Sequence, residues 1–483
     1  MTSLDPRTPV LVGVGTAHGD DEAVVLMAAA LEAASGDAGS SSLLGAVDRV
    51  SVPQGTWSYP DPARLVAARV GARGARTCLG RVGVPQQTLV NEALRAIAAG
   101  DCAVAVVVGG EARARARRAE LAGTVAAETP QPGAVPDVVM DREDDFIARP
   151  EIDAGLVQPV LQYALIENAL GAAEGQGVDG QRTAIAELWA RFNVVARSNP
   201  DAAFGSARSA AELATPSVTN RPLAFPYNKW HASQWTVDQA AALVLCSVEA
   251  ARAHHVPVDR WVFPLVGLDA GHALSLSRRR DPHRWPAMRI LGRAAADRIG
   301  RPLDEVEHVE LYSCFPSAVR VQQRELGLPL DGTPTVTGGM AFAGGPFNNF
   351  VYQATAAMVP LLRTRPAALG LVTTVCGLLT KPGLAVWSAT PDGRPPRLSD
   401  LAAEAAAATA AVAVADGHHG PARVVTATVS YAGMEAARTF VLAEAAAGRR
   451  CVASSDDPGL AQAAISGALI GTDVRISGTR VEP

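Results

Sequence analysis

The feature that most constrains the fold of this chain is an order of strands and helices that occurs twice. In the first part, strand patterns lie at 10–15, 49–54 and 102–110, and helix patterns lie between them at 22–35, 61–71 and 84–100. The alternation returns later, at 261–271, near 284–298, at 306–315, from 347 and at 369–377. Alternating strands and helices indicate mostly parallel sheets joined by right-handed crossovers. The repetition therefore predicts two similar α/β halves.

A glycine and proline segment precedes the corresponding helix in each half. GVPQQ (83–87) precedes the helix pattern of the first half, and GGPFN (344–348) precedes that of the second. Proline in a first turn costs no helix hydrogen bond, so both segments are consistent with helix starts. Two helix N-termini that face each other would stabilise a carbonyl oxygen or a thioester through their backbone donors.

Composition excludes several classes of protein. No run approaches the roughly eighteen uninterrupted apolar residues of a membrane helix, and the N-terminus lacks the regions of a secretory signal. These features predict a cytoplasmic protein without a membrane span. The net charge of −5 does not indicate nucleic-acid binding. The six cysteines form no CxxC pair, which fits reduced thiols better than disulfides or a zinc site.

The chain resembles the thiolase superfamily, and within it the thiolase-like proteins of type 1. The resemblance covers roughly residues 8–390 and rests on VDQAAALVLCS (237–247), ELYSCFPSAV (310–319), TGGMAFAGGPFNN (337–349) and VCGLLTKPGLAVWS (375–388). It implies a duplicated thiolase fold of two βαβαβαββ halves in αβαβα layers. It also implies coenzyme A or an acyl-CoA as ligand, with no covalently bound cofactor, and a role in lipid metabolism.

The departures from the thiolase pattern fall on the reacting groups. Counting back from Gly100 places the nucleophilic cysteine of thiolases at Gly83, and the histidine of their Gly-His-Pro loop at Gly345. Their Asn-Glu-Ala-Phe segment becomes Tyr312-Ser313-Cys314-Phe315. The second cysteine of thiolases is retained as Cys376. The resemblance thus implies a thiolase cleft without its usual nucleophile and base.

The insertion at 111–236 corresponds to the loop domain that covers coenzyme A in thiolases. It ends in an aromatic segment with Lys229, one of only two lysines in the chain. Cations there suit phosphates, and apolar groups suit the pantetheine arm. The predicted catalytic residues are Cys376, Tyr312 and His231. The predicted residues for substrate or coenzyme A binding are Arg221, Tyr227, Lys229, Gln86, Gly345, Asn348 and Lys381.

Several of these residues have a structural interpretation beside the functional one. His231 is either a satisfied surface histidine or a ligand-facing group. Lys381, the other lysine, either polarises a carbonyl or is an exposed loop residue. Cys78 is interpreted as a buried structural thiol. No metal site is predicted, because the adjacent His418 and His419 are weak evidence for one.

The C-terminal part predicts a small additional domain. An Ala-rich segment ends near DGHHG, and short strand patterns follow it at 423–433, 437–446, 449–455 and 472–477, with a capped helix at 456–466. The resemblance implies an OB-like domain here with a packing or interaction role. The predicted domains are an N-terminal half (1–260), a C-terminal half (261–395), a linker (396–420) and the OB-like domain (421–483).

Three functions stay open at this point. The first is an acyltransferase with Cys376 as reactive group and Tyr312 or His231 as proton donor. The second is an inactive protein that binds coenzyme A, and the third is a scaffold for partner enzymes. A homodimer, or a partner protein held by the C-terminal domain, is compatible with each.

Overall fold

The computed structural model describes residues 4–142 and 146–482. Its strands are β1 (Pro9–His18), β2 (Arg49–Pro53), β3 (Arg76–Gly80), β4 (Val104–Ala112), β5 (Val138–Met140), β6 (Pro222–Ala224), β7 (Tyr227–Asn228), β8 (Asp238–Ser247), β9 (Phe263–Asp269), β10 (His308–Glu310), β11 (Leu369–Cys376), β12 (Lys381–Ser388), β13 (Arg397–Asp400), β14 (His419–Ala432), β15 (Glu435–Ala445), β16 (Arg449–Ser455), β17 (Asp473–Ser477) and β18 (Arg480–Glu482). Its helices are α1 (Ala23–Ala38), α2 (Pro62–Arg69), α3 (Gln86–Ala99), α4 (Arg113–Leu121), α5 (Arg149–Asp153), α6 (Pro159–Ala173), α7 (Val178–Ala196), α8 (Ala210–Ala214), α9 (Val248–Ala253), α10 (Pro286–Ile299), α11 (Pro316–Leu326), α12 (Phe350–Thr364), α13 (Ala402–Ala408) and α14 (Pro458–Ile465).

Two mixed sheets with a shared topology form the centre of the molecule. The first has the order β1-β8-β4-β2-β3-β5, and the second has the order β10-β11-β12-β9-β13. The run β2-β4-β8-β1 corresponds to the run β10-β11-β12-β9, with the same parallel and antiparallel neighbours. This correspondence confirms the prediction of two similar α/β halves.

Helices α3 and α12 lie between the two sheets, since each contacts strands of both. One large apolar core includes these helices, both sheets and the helices of the insertion. A second core lies under α1 and α2 on the outer face of the first sheet. Helix α10 covers the second sheet through β9 and β12, so the layers follow the order αβαβα, and the start of α3 lies close to the start of α12.

The second half departs from the sequence prediction at 306–315. Only His308–Glu310 is a strand there, and beyond it the Leu311 N–H donates to the Pro334 carbonyl and the Tyr312 N–H to the Thr373 hydroxyl. The Glu310 carboxylate accepts hydrogen bonds from the N–H groups of Val336 and Thr337, at 2.7 and 2.8 Å. Gly338 and Gly339, which follow the two residues bound by Glu310, adopt positive φ angles of 94° and 75°. That segment is therefore not a regular strand either. At the opposite edge of this sheet, strand β13 of the predicted linker pairs in parallel with β9.

The C-terminal strands close into a five-stranded barrel. Strand β14 pairs with both β15 and β17, and β16 and β18 complete the circuit. The barrel has its own apolar core. A single pair, Ser430 with Ala224, joins β14 to the short strand β6 of the insertion.

Candidate functional site

Side chains at the starts of α3 and α12 tie the two glycine segments together. Gln86 accepts a hydrogen bond from the Val351 N–H on its side-chain oxygen, at 2.9 Å, and one from the Tyr352 hydroxyl on its carbonyl, at 3.2 Å. Asn348 donates its side-chain amide to the Gln54 carbonyl at 2.8 Å. The predicted binding residues Gln86 and Asn348 thus hold the two halves in register.

The space beside Gly83 is occupied by an aromatic ring from the insertion. A Cβ atom on Gly83 would lie 3.2 Å from Phe146 Cζ, and one on Gly377 would lie 2.5 Å from Phe146 Cδ1. Lys381 Nζ lies 4.6 Å from the centre of the same ring. Lys381 is completely buried at the start of β12, so its interpretation as an exposed loop residue is wrong. Phe146 therefore fills the volume that a side chain at residue 83 would need.

The space beside Gly345 is occupied in a similar way. A Cβ atom on Gly345 would collide with the Ser233 hydroxyl and would lie 3.2 Å from Met340 Cε. The Gly345 N–H donates to the Gln234 carbonyl at 3.0 Å, and the Ser233 N–H donates to the Cys314 carbonyl at 2.9 Å. These contacts lock the glycine segment onto the aromatic segment of the insertion.

A short turn between β11 and β12 carries Cys376 and Lys381, which are opposite each other in the β ladder. Tyr163 donates its hydroxyl to the Gly377 carbonyl at 3.3 Å, and the Arg279 guanidinium donates to the Leu378 carbonyl. None of the six cysteines, all in the described part of the chain, forms a disulfide. The turn is thus held by side chains from two other elements.

Tyr312 lies in the same cluster as Cys314 and Cys376. Burial raises the pKa of Tyr312 well above its usual value, and the neighbouring Cys314 and Cys376 raise it further. Burial also raises the pKa of Cys314 to about 12, although a hydrogen bond with Tyr163 lowers it. Both groups therefore remain protonated at neutral pH, and Tyr312 is chemically suited to donate a hydrogen bond rather than to act as a base.

His231 and Tyr227 are both enclosed in the protein interior, so the interpretation of His231 as a surface histidine is wrong. His231 is 2% exposed, and burial lowers its pKa to about 3, so the imidazole is neutral at physiological pH. Its Nδ1 accepts from the Asn228 N–H at 3.1 Å, which places the proton on Nε2. Tyr227 is completely buried and donates its hydroxyl to the Glu167 carboxylate at 2.7 Å. Neither predicted residue faces an open part of the site.

Cations of the insertion surround one tryptophan beside the glycine segment. The Arg208 guanidinium stacks 3.6 Å from the centre of the Trp230 ring, and Lys229 Nζ lies 5.1 Å from it. The Trp230 ring in turn stacks against Phe342, at 6.2 Å between ring centres. Arg221, the third cation predicted for binding, is exposed and contributes its carbonyl to the Lys229 N–H. Lys229 and Arg208 are thus the two cations that pack on Trp230.

Four residues that pack around the glycine segments and the Cys376 turn were not predicted from the sequence. Phe146, Ser233 and Tyr163 reach them from positions that no local pattern links to the glycine segments, and Arg208 lies in a segment without a motif. One signal was available: the glycines at 83 and 345 leave room that some other side chain must fill, since protein interiors are closely packed.

Glu310 gives the site a pH-dependent anchor. Burial raises its pKa from the usual 4.5 to about 7, although four hydrogen-bond donors from Thr335, Val336 and Thr337 oppose this shift. The folded state then binds this proton more tightly than the unfolded chain. The resulting stability is fully present below about pH 4.5 and is lost as the pH rises through about 7.

We expect the free energy of unfolding to fall between pH 5 and 7, with Glu310 contributing up to about 1.4 kcal/mol per pH unit. Glu310→Gln should reduce this slope, because the amide does not titrate. Urea unfolding of both proteins at several pH values measures the difference. Glu111, whose pKa burial also raises to about 7, leaves a residual slope in the variant. Parallel curves for the native protein and the variant would contradict the assignment.

Among the described residues, no group of three His, Cys, Asp or Glu side chains is arranged to hold a metal ion. Within the same residues, no helix combines the length and the apolar character needed to cross a bilayer.

Comparison with solved structures identifies proteins of similar architecture. A monomeric SCP2-thiolase-like protein type 1 from Mycobacterium smegmatis matches with a TM-score of 0.84 and 29% identity, over 98% of each chain. This match supports the assignment of the chain to the thiolase superfamily. The match to the type 1 protein extends over both thiolase halves and the C-terminal barrel, because almost no part of either chain is left uncovered.

Two further solved structures share the fold alone, at lower identity. Acetyl-CoA acetyltransferase from Syntrophomonas wolfei matches with a TM-score of 0.58 and 15% identity, over 80% of this chain and 100% of that one. An "Ltp2-ChsH2(DUF35) aldolase" matches with a TM-score of 0.61 and 18% identity, over 80% of this chain and 99% of that one. Comparison with protein-family models gives no match, and comparison with curated proteins gives none either.

Proposed function

We propose that this thiolase-like chain binds a coenzyme A thioester in the cleft between residues 83–86 and 344–346, without the covalent route of thiolases. The observation that supports the absence of a covalent route is that other side chains pack against Gly83 and Gly345, where the resemblance places the thiolase nucleophile and base. Phe146 takes the space beside Gly83, and Ser233 takes the space beside Gly345. A cysteine at residue 83 or a histidine at residue 345 would have to displace these side chains.

The remaining groups are suited to recognising a thioester. The N-terminus of α3 favours partial negative charge on a thioester oxygen. Tyr312, protonated and in contact with Gln86, supplies a hydrogen-bond donor beside Cys376. Lys229 and Arg208 offer positive charge for phosphate groups. His231 is not required in this arrangement, because it is neutral and enclosed.

Whether the bound thioester reacts depends on Cys376. In an acyltransferase, Cys376 exchanges a proton with the substrate while Tyr312 orients the carbonyl. The alternative is a coenzyme A-binding or scaffold protein without turnover, and the Phe146 ring in the cleft favours it. A cytoplasmic location, a homodimer and a partner bound through the barrel stay predictions.

Calorimetry with acetyl-CoA tests the proposal directly. We expect binding to the native protein and an affinity about tenfold lower for Lys229→Ala and for Arg208→Ala, since each loses one charge-assisted contact worth roughly 1.5 kcal/mol. Arg73→Ala, an exposed cation of the first half, is the matched control and should bind like the native protein. Absence of binding to the native protein would overturn the proposal, and unchanged affinity in both variants would remove these two cations from it.

A further inference from the structure

The C-terminal barrel is fastened to helix α6 by buried hydrogen bonds. The Thr426 hydroxyl of β14 donates to the Leu165 carbonyl at 2.7 Å. The Asn168 side-chain amide donates to the carbonyls of Ala427, at 2.7 Å, and Phe225, at 3.1 Å. Thr426 is completely buried and Asn168 nearly so, so these bonds form away from solvent. The face of β14 that contacts α6 is covered within the chain itself.

Helix α6 carries this attachment to the turn beside Cys376. Tyr163 precedes Leu165 by two residues, and its hydroxyl donates to the Gly377 carbonyl at 3.3 Å. The Ser317 hydroxyl donates to the Tyr163 carbonyl at 3.0 Å, which fixes this part of α6 against the start of α11. A displacement of the barrel would therefore move Tyr163 relative to the turn.

A second connection from the barrel reaches the next residue of the same turn. Arg450 of β16 is 1% exposed and donates to the Arg280 carbonyl at 3.0 Å. The neighbouring Arg279 donates its guanidinium to the Leu378 carbonyl. The Val412 N–H, just before the barrel, donates to the Arg278 carbonyl at 2.8 Å. Two separate paths from the C-terminal segment thus converge on Gly377 and Leu378.

We propose that the barrel is a positioning element for the turn that carries Cys376 and Lys381. Thr426 and Arg450 act through Tyr163 and Arg279 and do not touch a substrate. This inference deepens the proposed function. It rests on that function in one respect, since it takes the turn to be part of the coenzyme A site. It gives the barrel a role inside the chain, in place of the nucleic-acid role that OB-like barrels often have.

The barrel offers a closely matched pair of substitutions. Thr426→Val removes the hydroxyl bonded to Leu165. Thr439→Val removes a hydroxyl that is equally buried in β15 but has no hydrogen-bond partner among the described residues. Arg450→Met cuts the second path. This change also removes a buried cation whose Nε and Nη1 atoms lack partners within the described part of the chain, so its cost in stability is limited.

Alkylation of the full-length protein with iodoacetamide, resolved by peptide mass spectrometry, is the test. Cys102 lies in the first half and serves as the internal reference. We expect Thr426→Val and Arg450→Met each to change the alkylation rate of Cys376, relative to that of Cys102, by about threefold or more. Each should also shift the pH profile of Cys376 alkylation. Thr439→Val should leave the rate ratio and the pH profile unchanged. These readouts do not depend on coenzyme A binding.

Ratios and pH profiles that stay native in both test variants would overturn the proposal. An equal change in Thr439→Val would also overturn it, because the effect would then reflect general loosening of the barrel. If Thr426→Val does not fold, Arg450→Met decides the outcome alone. Failure of acetyl-CoA to bind, with a changed Cys376 rate, would reject the proposed function and leave this inference standing.

Discussion

A chain that carries Gly83→Cys together with Gly345→His is expected to be less stable than the native protein and to form no acyl-enzyme. Residue 83 has a φ of +103°, which residues other than glycine rarely adopt, and its Cβ would press on Phe146. A histidine at 345 would displace Ser233 and Met340. Overpacking and backbone strain of this kind cost about 3 kcal/mol or more in total.

Denaturant unfolding and intact-mass measurement after incubation with acetoacetyl-CoA check this expectation. The control carries Gly36→Cys and Gly180→His, which place the same residue types on exposed helix positions with no atom within 4 Å of the new Cβ. This control should keep native stability or exceed it slightly, since glycine is unfavourable inside helices. A fully stable double variant that accumulates an acyl adduct would show that Phe146 and Ser233 do not block the reacting positions.

Thiolysis of acetoacetyl-CoA by the native protein is expected to stay at the uncatalysed level. A thiolase splits the reaction into two easier steps through a cysteine nucleophile, and the loss of a nucleophile or its base costs on the order of 10⁴ to 10⁶ in rate. Cys376 lies at the end of β11 and not at the start of α3, so it does not take the place that the resemblance assigns to the thiolase nucleophile. Acetyl-CoA formation, followed by chromatography with a protein-free control, measures the rate.

The fold was largely predictable from the sequence, because hydrophobic periodicity and the residues that begin and end helices and strands are local properties. The strand pattern of CAVAVVVGG became β4, whose residues 104–108 are completely buried. Asp457 caps α14 through a hydrogen bond to the Leu460 N–H, as the pattern after 455 indicated. Only part of the strand expected at 306–315 forms, because the Leu311 N–H donates to the Pro334 carbonyl and the Tyr312 N–H donates to the Thr373 hydroxyl, contacts that no local pattern reveals.

The site was predictable only in outline. The sequence grouped Gln86, Gly345, Tyr312 and Cys376 into one site through the two glycine segments, and the structure brings Tyr312 close to both Gln86 and Cys376. It did not reveal Phe146, because the contact with Gly83 joins residues far apart in the chain. His231 and Lys229 are neighbours in sequence, yet the short 3₁₀ turn at Lys229–His231 directs one into the interior and leaves the other half-buried.

Intact-mass spectrometry of the native protein after incubation with acetoacetyl-CoA tests the central claim most directly. That claim is that the cleft binds a thioester and has no nucleophile to receive its acyl group. We predict an unmodified mass in denaturing spectra, together with a noncovalent coenzyme A complex in native spectra. A stable acyl adduct on Cys78 or Cys376, with acetyl-CoA formation abolished by the matching Cys→Ala change, would contradict the account.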